Sequence, residues 1–130
     1  MFTLEQIASA HSKVKSGADF PQFVQDLKGL GVASYTTYVS DGRAEYIGED
    51  GSTLGSGGKY PAKQIAQTSD GDRFVTRLKI HQNGETDYPT FCRDAAETGV
   101  DRWITDTAAL TCTYYDRAGV EILAEEIPAA

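Results

Sequence analysis

Cysteine is scarce. The two thiols, Cys92 and Cys112, in 130 residues are too few for the disulfide framework of a small secreted scaffold, and no further Cys or His stands beside them at zinc-ligand spacing. Long apolar runs are missing as well. The longest, counting glycine, is Gly29 to Ala33, against the roughly 20 residues that cross a bilayer, so an integral membrane protein is not expected. Polar residues interrupt the opening segment from Thr3 onward, where a secretory signal would need an apolar stretch of about 7–15 residues. A cytoplasmic location is the expectation. Positive charge is in deficit, with 12 Lys and Arg against 19 Asp and Glu and a formal net charge of −7. That balance repels phosphate backbones and anionic lipid headgroups and speaks against nucleic-acid and membrane partners. What is present is a chain 40% hydrophobic and 10% aromatic, rich enough for one core and of the length of one ordinary domain, 1–130.

The period of the apolar residues changes along the chain. Thr3 caps an expected helix that runs through Lys15 on the stripe Leu4, Ile7, His11 and Val14. Asp19 precedes Phe20-Pro21, a natural helix opening because proline loses no hydrogen bond in the first turn, and the stripe Phe20, Phe23, Val24 and Leu27 carries a second helix to about Lys28. From Val32 to Val39 the residues are β-branched and aromatic, Asp41-Gly42 signals a hairpin, and Arg43 to Ile47 reads as the returning strand. The glycine-rich stretch from Gly48 to Gly58 reads as a mobile loop, and a weak edge strand is expected from Lys59 to Ala66. Asp70 caps a third helix through Gln82, Thr86 or Asp87 starts a fourth ending at Gly99, and three strands follow, Val100 to Thr105, Thr111 to Tyr115 and Val120 to Ile127.

The order helix, helix, strand, strand therefore occurs twice, in segments of about 1–58 and 70–127. Setting Asp19 over Asp87, an offset of 68 residues, aligns 19–54 with 87–122 without a gap. Nine of these 36 positions are identical, among them Asp19, Pro21, Phe23, Gly31, Thr37 and Tyr46, and Tyr35 stands over Trp103. Two such halves are expected to pack about an approximate two-fold axis. The expected fold is α+β, two pseudo-repeated helix-helix-strand-strand units forming one mostly antiparallel sheet covered by helices. The aromatic and threonine strand face is left as a recognition surface.

The repeat also weighs the chemistry. Cys92 with His81 and Asp94 or Asp87 would be a nucleophile, base and orienting group, but its counterpart is Val24 and that of Cys112 is Ala44, which makes both thiols structural. His11 and His81, with Asp19 and Asp87, are the residue types of a metal site. The simpler roles are helix-end histidines and N-cap aspartates, so no metal, no cofactor and no catalytic residue is expected. The stretch ending Gly58-Lys59-Tyr60 lacks the first glycine and the Ser or Thr of a phosphate loop. A groove on the pseudo-two-fold, lined by His11, His81, Tyr46, Tyr114, Asp19 and Asp87, is the expected binding site, for an unidentified small molecule or protein, in a monomer or homodimer.

At Phe2-Thr3-Leu4-Glu5-Gln6-Ile7, at His11 to Pro21, at Thr37-Tyr38-Val39-Ser40-Asp41-Gly42, at Thr86 to Cys92 and at Cys112-Thr113-Tyr114-Tyr115-Asp116 the chain resembles a bacterial family, domain-of-unknown-function family 1398. The resemblance implies a short bacterial or prophage protein, some of whose relatives carry the label phage envelope protein, and it carries over no residue roles. The functional expectation is a non-enzymatic binding or interaction protein. A phage-derived structural protein, or a small metal-dependent or hydrolytic enzyme using the matched His and Asp residues, are the alternatives.

Overall fold

The computed structural model describes residues 2–15 and 17–128. Two helices, α1 (Leu4–His11) and α2 (Phe20–Gly29), lead into strands β1 (Val32–Tyr38), β2 (Ala44–Gly48) and β3 (Thr53–Gly55). Two more, α3 (Gly71–Gln82) and α4 (Tyr88–Glu97), lead into β4 (Arg102–Asp106), β5 (Thr111–Tyr115) and β6 (Glu121–Glu126). The strands form one antiparallel sheet in the order β3-β2-β1-β4-β5-β6, and the helices pack on it. The fold is α+β.

Helix starts follow their capping residues. Thr3 accepts from the Gln6 N–H while the Gln6 side chain accepts from the Thr3 N–H, a reciprocal capping box. Asp70 accepts from Arg73 N–H and Asp87 from Thr90 N–H. Asp19 departs from expectation: a 3-10 turn, Gly17–Asp19, leads straight into α2, its residue 19 is already in the right-handed helical region, and its carboxylate accepts from the Lys15 N–H rather than capping α2. Helix α1 is also shorter than its apolar stripe. It stops at His11 because the Ser12 hydroxyl bonds back to Ser9 O, and the N–H groups of Lys13 and Val14 bond three residues back, closing the last turn tightly.

Two further expectations are corrected between β2 and α3. The glycine-rich segment is no simple loop, since Thr53–Gly55 pairs with β2 as an edge strand that the Asp50-Gly51 turn brings back. Lys59 to Ala66 forms no strand. It crosses the end of the sheet as irregular chain held by bonds from Lys59 N–H to Asp41 O, Lys63 N–H to Ser40 O and Ala66 N–H to Ala96 O.

Strand alternation decides which rings are covered. Tyr35, Tyr46, Trp103 and Tyr114 are 4–5% exposed on the helix side of the sheet, with Thr37, Ala44, Thr105 and Cys112 on the same face. The aromatic face is thus the inner one, against the expectation of an outward recognition surface. The outer face carries Thr36, Ile104 and Thr113, with the Tyr38 and Tyr115 rings beneath the Arg43 and Arg102 guanidinium groups. Beneath the helices the buried residues divide into two clusters. One gathers Phe2, Ile7, Phe23, Leu27, Val32 and Tyr35, the other Phe74, Leu78, Phe91, Val100 and Trp103 with Val24 and Val39 from the first half, and Phe20 packs on both. Each fully buried Val or Leu contributes about 1.5–3 kcal/mol relative to exposure. A salt bridge of 2.9 Å from Arg77 to the buried Asp94 ties α3 to α4.

The central strand pair has a telling register. Thr36 lies opposite Ile104, Tyr35 opposite Thr105 and Thr37 opposite Trp103, so the pair at its centre joins two positions 68 residues apart. Tyr35 opposes Tyr46 just as Trp103 opposes Tyr114. Left-handed backbone recurs at the same offset, at Gly31 and Gly99, Gly42 and Leu110, and Gly51 and Gly119.

Candidate functional site

Between the inner face of the sheet and the helices lies a cavity of about 490 Å³. Its floor is Tyr35, Tyr46, Trp103 and Tyr114, and Phe23 and Phe91 lean in from α2 and α4. The rings form two chains. In one, His11, Phe23, Tyr35 and Tyr46 follow one another at centroid distances of 5.3, 6.3 and 5.5 Å. In the other, His81, Phe91, Trp103 and Tyr114 do so at 4.4, 5.5 and 5.9 Å. Edge-on and tilted geometries predominate, as expected of rings whose faces are negative and edges positive. His81 is the exception, stacked on Phe91 at 12°.

The two histidines differ in setting. His81 is 8% exposed, and its Nδ1 lies 3.2 Å from both the carbonyl and the hydroxyl of Thr86. A carbonyl only accepts, so Nδ1 carries the proton and Nε2 is the acceptor of the neutral ring. Burial holds the His81 pKa below the usual value, against the opposing pull of the Thr86 carbonyl, Asp87 and Asp94. His11 stands at the exposed end of α1, edge-on to Phe23 and 6.2 Å from the Tyr88 ring. Its pKa is also lowered, first by burial of the ring and then by the Lys59 charge.

Charge is placed at opposite edges. Lys59, in the irregular segment beyond β3, lines the cavity. The residue is exposed at the rim, and partial desolvation of its ammonium group lowers its pKa. Among the described residues no carboxylate lies within ion-pair distance of it. Glu125 on β6, across the sheet, faces inward opposite Cys112 and accepts from the Gln82 amide at 3.2 Å. Burial raises its pKa, and the Gln82 bond and the Lys79 charge oppose the rise.

Neither thiol is set up as a nucleophile. Cys92 is fully buried and Cys112 is 2% exposed. Burial raises the Cys92 pKa and pushes that of Cys112 up to about 11, which suppresses the thiolate. The side chains beside Cys92 are Tyr60 and Tyr88 rather than His81.

Of the six residues expected at a central groove, the structure brings His11, His81, Tyr46 and Tyr114 into the cavity lining. Asp19 and Asp87 are not part of that lining. They sit at the starts of α2 and α4, Asp19 bonded to the Lys15 N–H and Asp87 capping its helix. Among the described residues no three His, Cys, Asp or Glu side chains converge as a metal site. Phe23, Phe91, Trp103, Glu125 and Lys59 were not anticipated as lining residues. The pairing of Tyr35 with Trp103 and the register of the last hairpin carried the signal for all but Lys59. No helix among the described residues is long and apolar enough to cross a membrane.

A family model described as Protein of unknown function (DUF1398) matches residues 8–126. The chain is 24% identical over 103 residues to Uncharacterized protein YcgX of Escherichia coli (strain K12), which covers 79% of this chain and 77% of that protein. It is 30% identical over 98 residues to Uncharacterized protein Rv2012 of Mycobacterium tuberculosis (strain ATCC 25618 / H37Rv). Uncharacterized protein Mb2035 of Mycobacterium bovis matches to the same extent, and the match spans 74% of this chain and 59% of either mycobacterial protein.

Proposed function

The chain belongs to the family of proteins of unknown function DUF1398, so its role is argued from the site, and we propose that it binds a small, mainly apolar molecule between sheet and helices. The observation that carries this reading is the cavity itself. This partly open space of about 490 Å³ falls within the roughly 300–1,000 Å³ typical of ligand pockets, and its floor of aromatic rings offers an apolar guest a surface on which to be covered. The lining suits binding better than chemistry. Rings supply contact area, the histidines and Lys59 supply few polar groups, and both thiols have raised pKa values.

We read the two halves as one unit repeated. The common element order, the shared register of β1–β2 and β4–β5, the left-handed positions at an offset of 68 and the paired ring chains support that reading. On it, the cavity is the place where the equivalent faces of both units meet.

Diphenylhexatriene, an uncharged rod-shaped fluorophore dark in water, tests the binding reading. Its emission is expected to rise and saturate at one molecule per chain, with Trp103, the one tryptophan of the sequence, transferring energy to it. Ala44→Phe places a ring into the cavity from β2 and is expected to abolish the signal while the circular dichroism spectrum is kept. Cys112→Phe does the same from the equivalent position on β5. Uptake unaffected by both folded variants, or no uptake by the wild type, sinks the reading.

A further inference from the structure

We propose that the ligand is an extended amphipathic anion, an apolar tail laid across the inner face of the sheet with its carboxylate, or a comparable oxyanion, against Lys59 and His11. This rests on the cavity being the binding site, and it names the ligand's shape, charge and direction.

Shape follows from the strands that form the floor. The lining runs from Tyr46 on β2 through β1, β4 and β5 to Glu125 on β6. Five adjacent strands span four interstrand spacings, about 19 Å. A cavity of about 490 Å³ lying along that length has room for an apolar chain or ring laid across the strands. The middle of this path is lined by Phe23, Tyr35, Phe91, Trp103 and Tyr114, and β1, β4 and β5 contribute no charged side chain to the lining, which suits an apolar tail.

Charge fixes the direction. At the β1–β2 turn, Lys59 and His11 line the cavity within electrostatic reach of each other, and among the described residues no acidic side chain pairs with the ammonium group. An oxyanion placed there pairs with the ammonium group and accepts a hydrogen bond from it or from the imidazole N–H. On the β6 side, Glu125 and Glu126 repel a carboxylate, so the head group has one end to choose. Tyr60, the neighbour of Lys59, packs over Gly42, where an added Cβ would lie 2.7 Å from its ring. With the Lys59 N–H bonded to Asp41 O, this holds the lysine at the mouth rather than on a free loop.

Three eight-carbon probes that differ only in the head group decide the matter: octanoate, 1-octanol and octylammonium, titrated into the full chain with Trp103 emission as the readout. Octanoate is expected to bind about tenfold more tightly than 1-octanol, the scale of one hydrogen bond to a charged partner, and octylammonium more weakly than either. Lys59→Gln is expected to weaken octanoate far more than 1-octanol, so that the preference between them is lost, and Lys59→Arg to retain most of the preference. Equal binding of octanoate and 1-octanol, or octylammonium binding most tightly, overturns the anion assignment while leaving the cavity as the binding site. If none of the three perturbs Trp103 and diphenylhexatriene is not taken up either, the binding reading falls with it.

Discussion

His11 and His81 occupy corresponding places in the two ring chains, yet their surroundings give them different work. His81 is sealed against Phe91 and bonded to Thr86, whereas His11 keeps an exposed edge beside Lys59. The sealed ring links folding to pH. Its pKa is lowered from 6.5 in the folded chain, so between that value and its lower folded pKa the unfolded state binds more protons. The stability it contributes is whole above pH 6.5 and declines as pH falls through that window. His11 acts in the same direction, and Glu125, with a raised pKa, acts in the opposite one. One histidine protonated only in the unfolded state costs at most about 1.4 kcal/mol on going from pH 6.5 to 5.5. Urea unfolding at pH 7.5 and 5.5 is expected to show a loss for the wild type and a smaller loss for His81→Gln, whatever the variant's absolute stability. An undiminished loss in His81→Gln assigns the dependence elsewhere.

Where helices hand over to strands, two glycines in corresponding places carry different loads. Gly31 follows α2 and Gly99 follows α4, both left-handed with φ of +96° and +87°, the usual way a helix is ended. A side chain at Gly31 would meet nothing within 4 Å. At Gly99 it would lie 2.7 Å from Ser69 Cα and 2.9 Å from Thr68 O, both backbone atoms. Gly31→Ala is therefore expected to cost only the backbone term, about 1–2 kcal/mol. Gly99→Ala should cost clearly more, because the segment entering α3 has to move. Equal losses by chemical denaturation reject this account.

The same contrast explains what could be read from the residues alone. Helix starts were legible at Thr3, Asp70 and Asp87, because a cap is a local device. Asp19 misled because the same D-x-P pattern is entered from a 3-10 turn that the preceding residues impose. Strand β3 was hidden because three residues among glycines carry no period, and their pairing comes from the turn and the β2 edge. Four of the six expected site residues lie on one cavity because strand alternation turns Tyr46 and Tyr114 inward and the His11 and His81 rings pack on Phe23 and Phe91. Lys59 was illegible as a site residue because its position depends on contacts with Asp41 and Tyr60, far from any periodic element.

At the scale of the whole molecule, the central pair of strands is what joins two otherwise self-contained sets of side chains. The cluster around Phe2, Ile7, Phe23 and Leu27 comes entirely from the first half, but Val24 and Val39 of that half are buried in the other cluster. Five residues of β1 pair with β4. Thr107 donates through its side chain to Val32 O and through its backbone to Ala33 O, and the Val39 N–H bonds Asp101 O. A cut between Gly57 and Gly58 would sever no hydrogen-bonded strand pair, but the separated fragments 1–57 and 58–130 would each expose a full sheet edge and part of a core. Neither fragment is expected to fold as a monomer, since a sheet of three strands with an open, flat edge and unfilled apolar positions lacks the partner surface it needs. Mixed, they are expected to recover a single complex with the native Trp103 emission spectrum, because the register at Thr36 and Ile104 specifies how the edges meet. That register joins positions 68 residues apart, and if the halves are one unit repeated, a fragment alone at high concentration is expected to form a weaker homodimer through the same edge. The measurements are circular dichroism and sedimentation of each fragment and of their mixture. Cooperative unfolding of either fragment as a monomer would show that the halves are independent, and the reading of the cavity as the product of their joining would be lost.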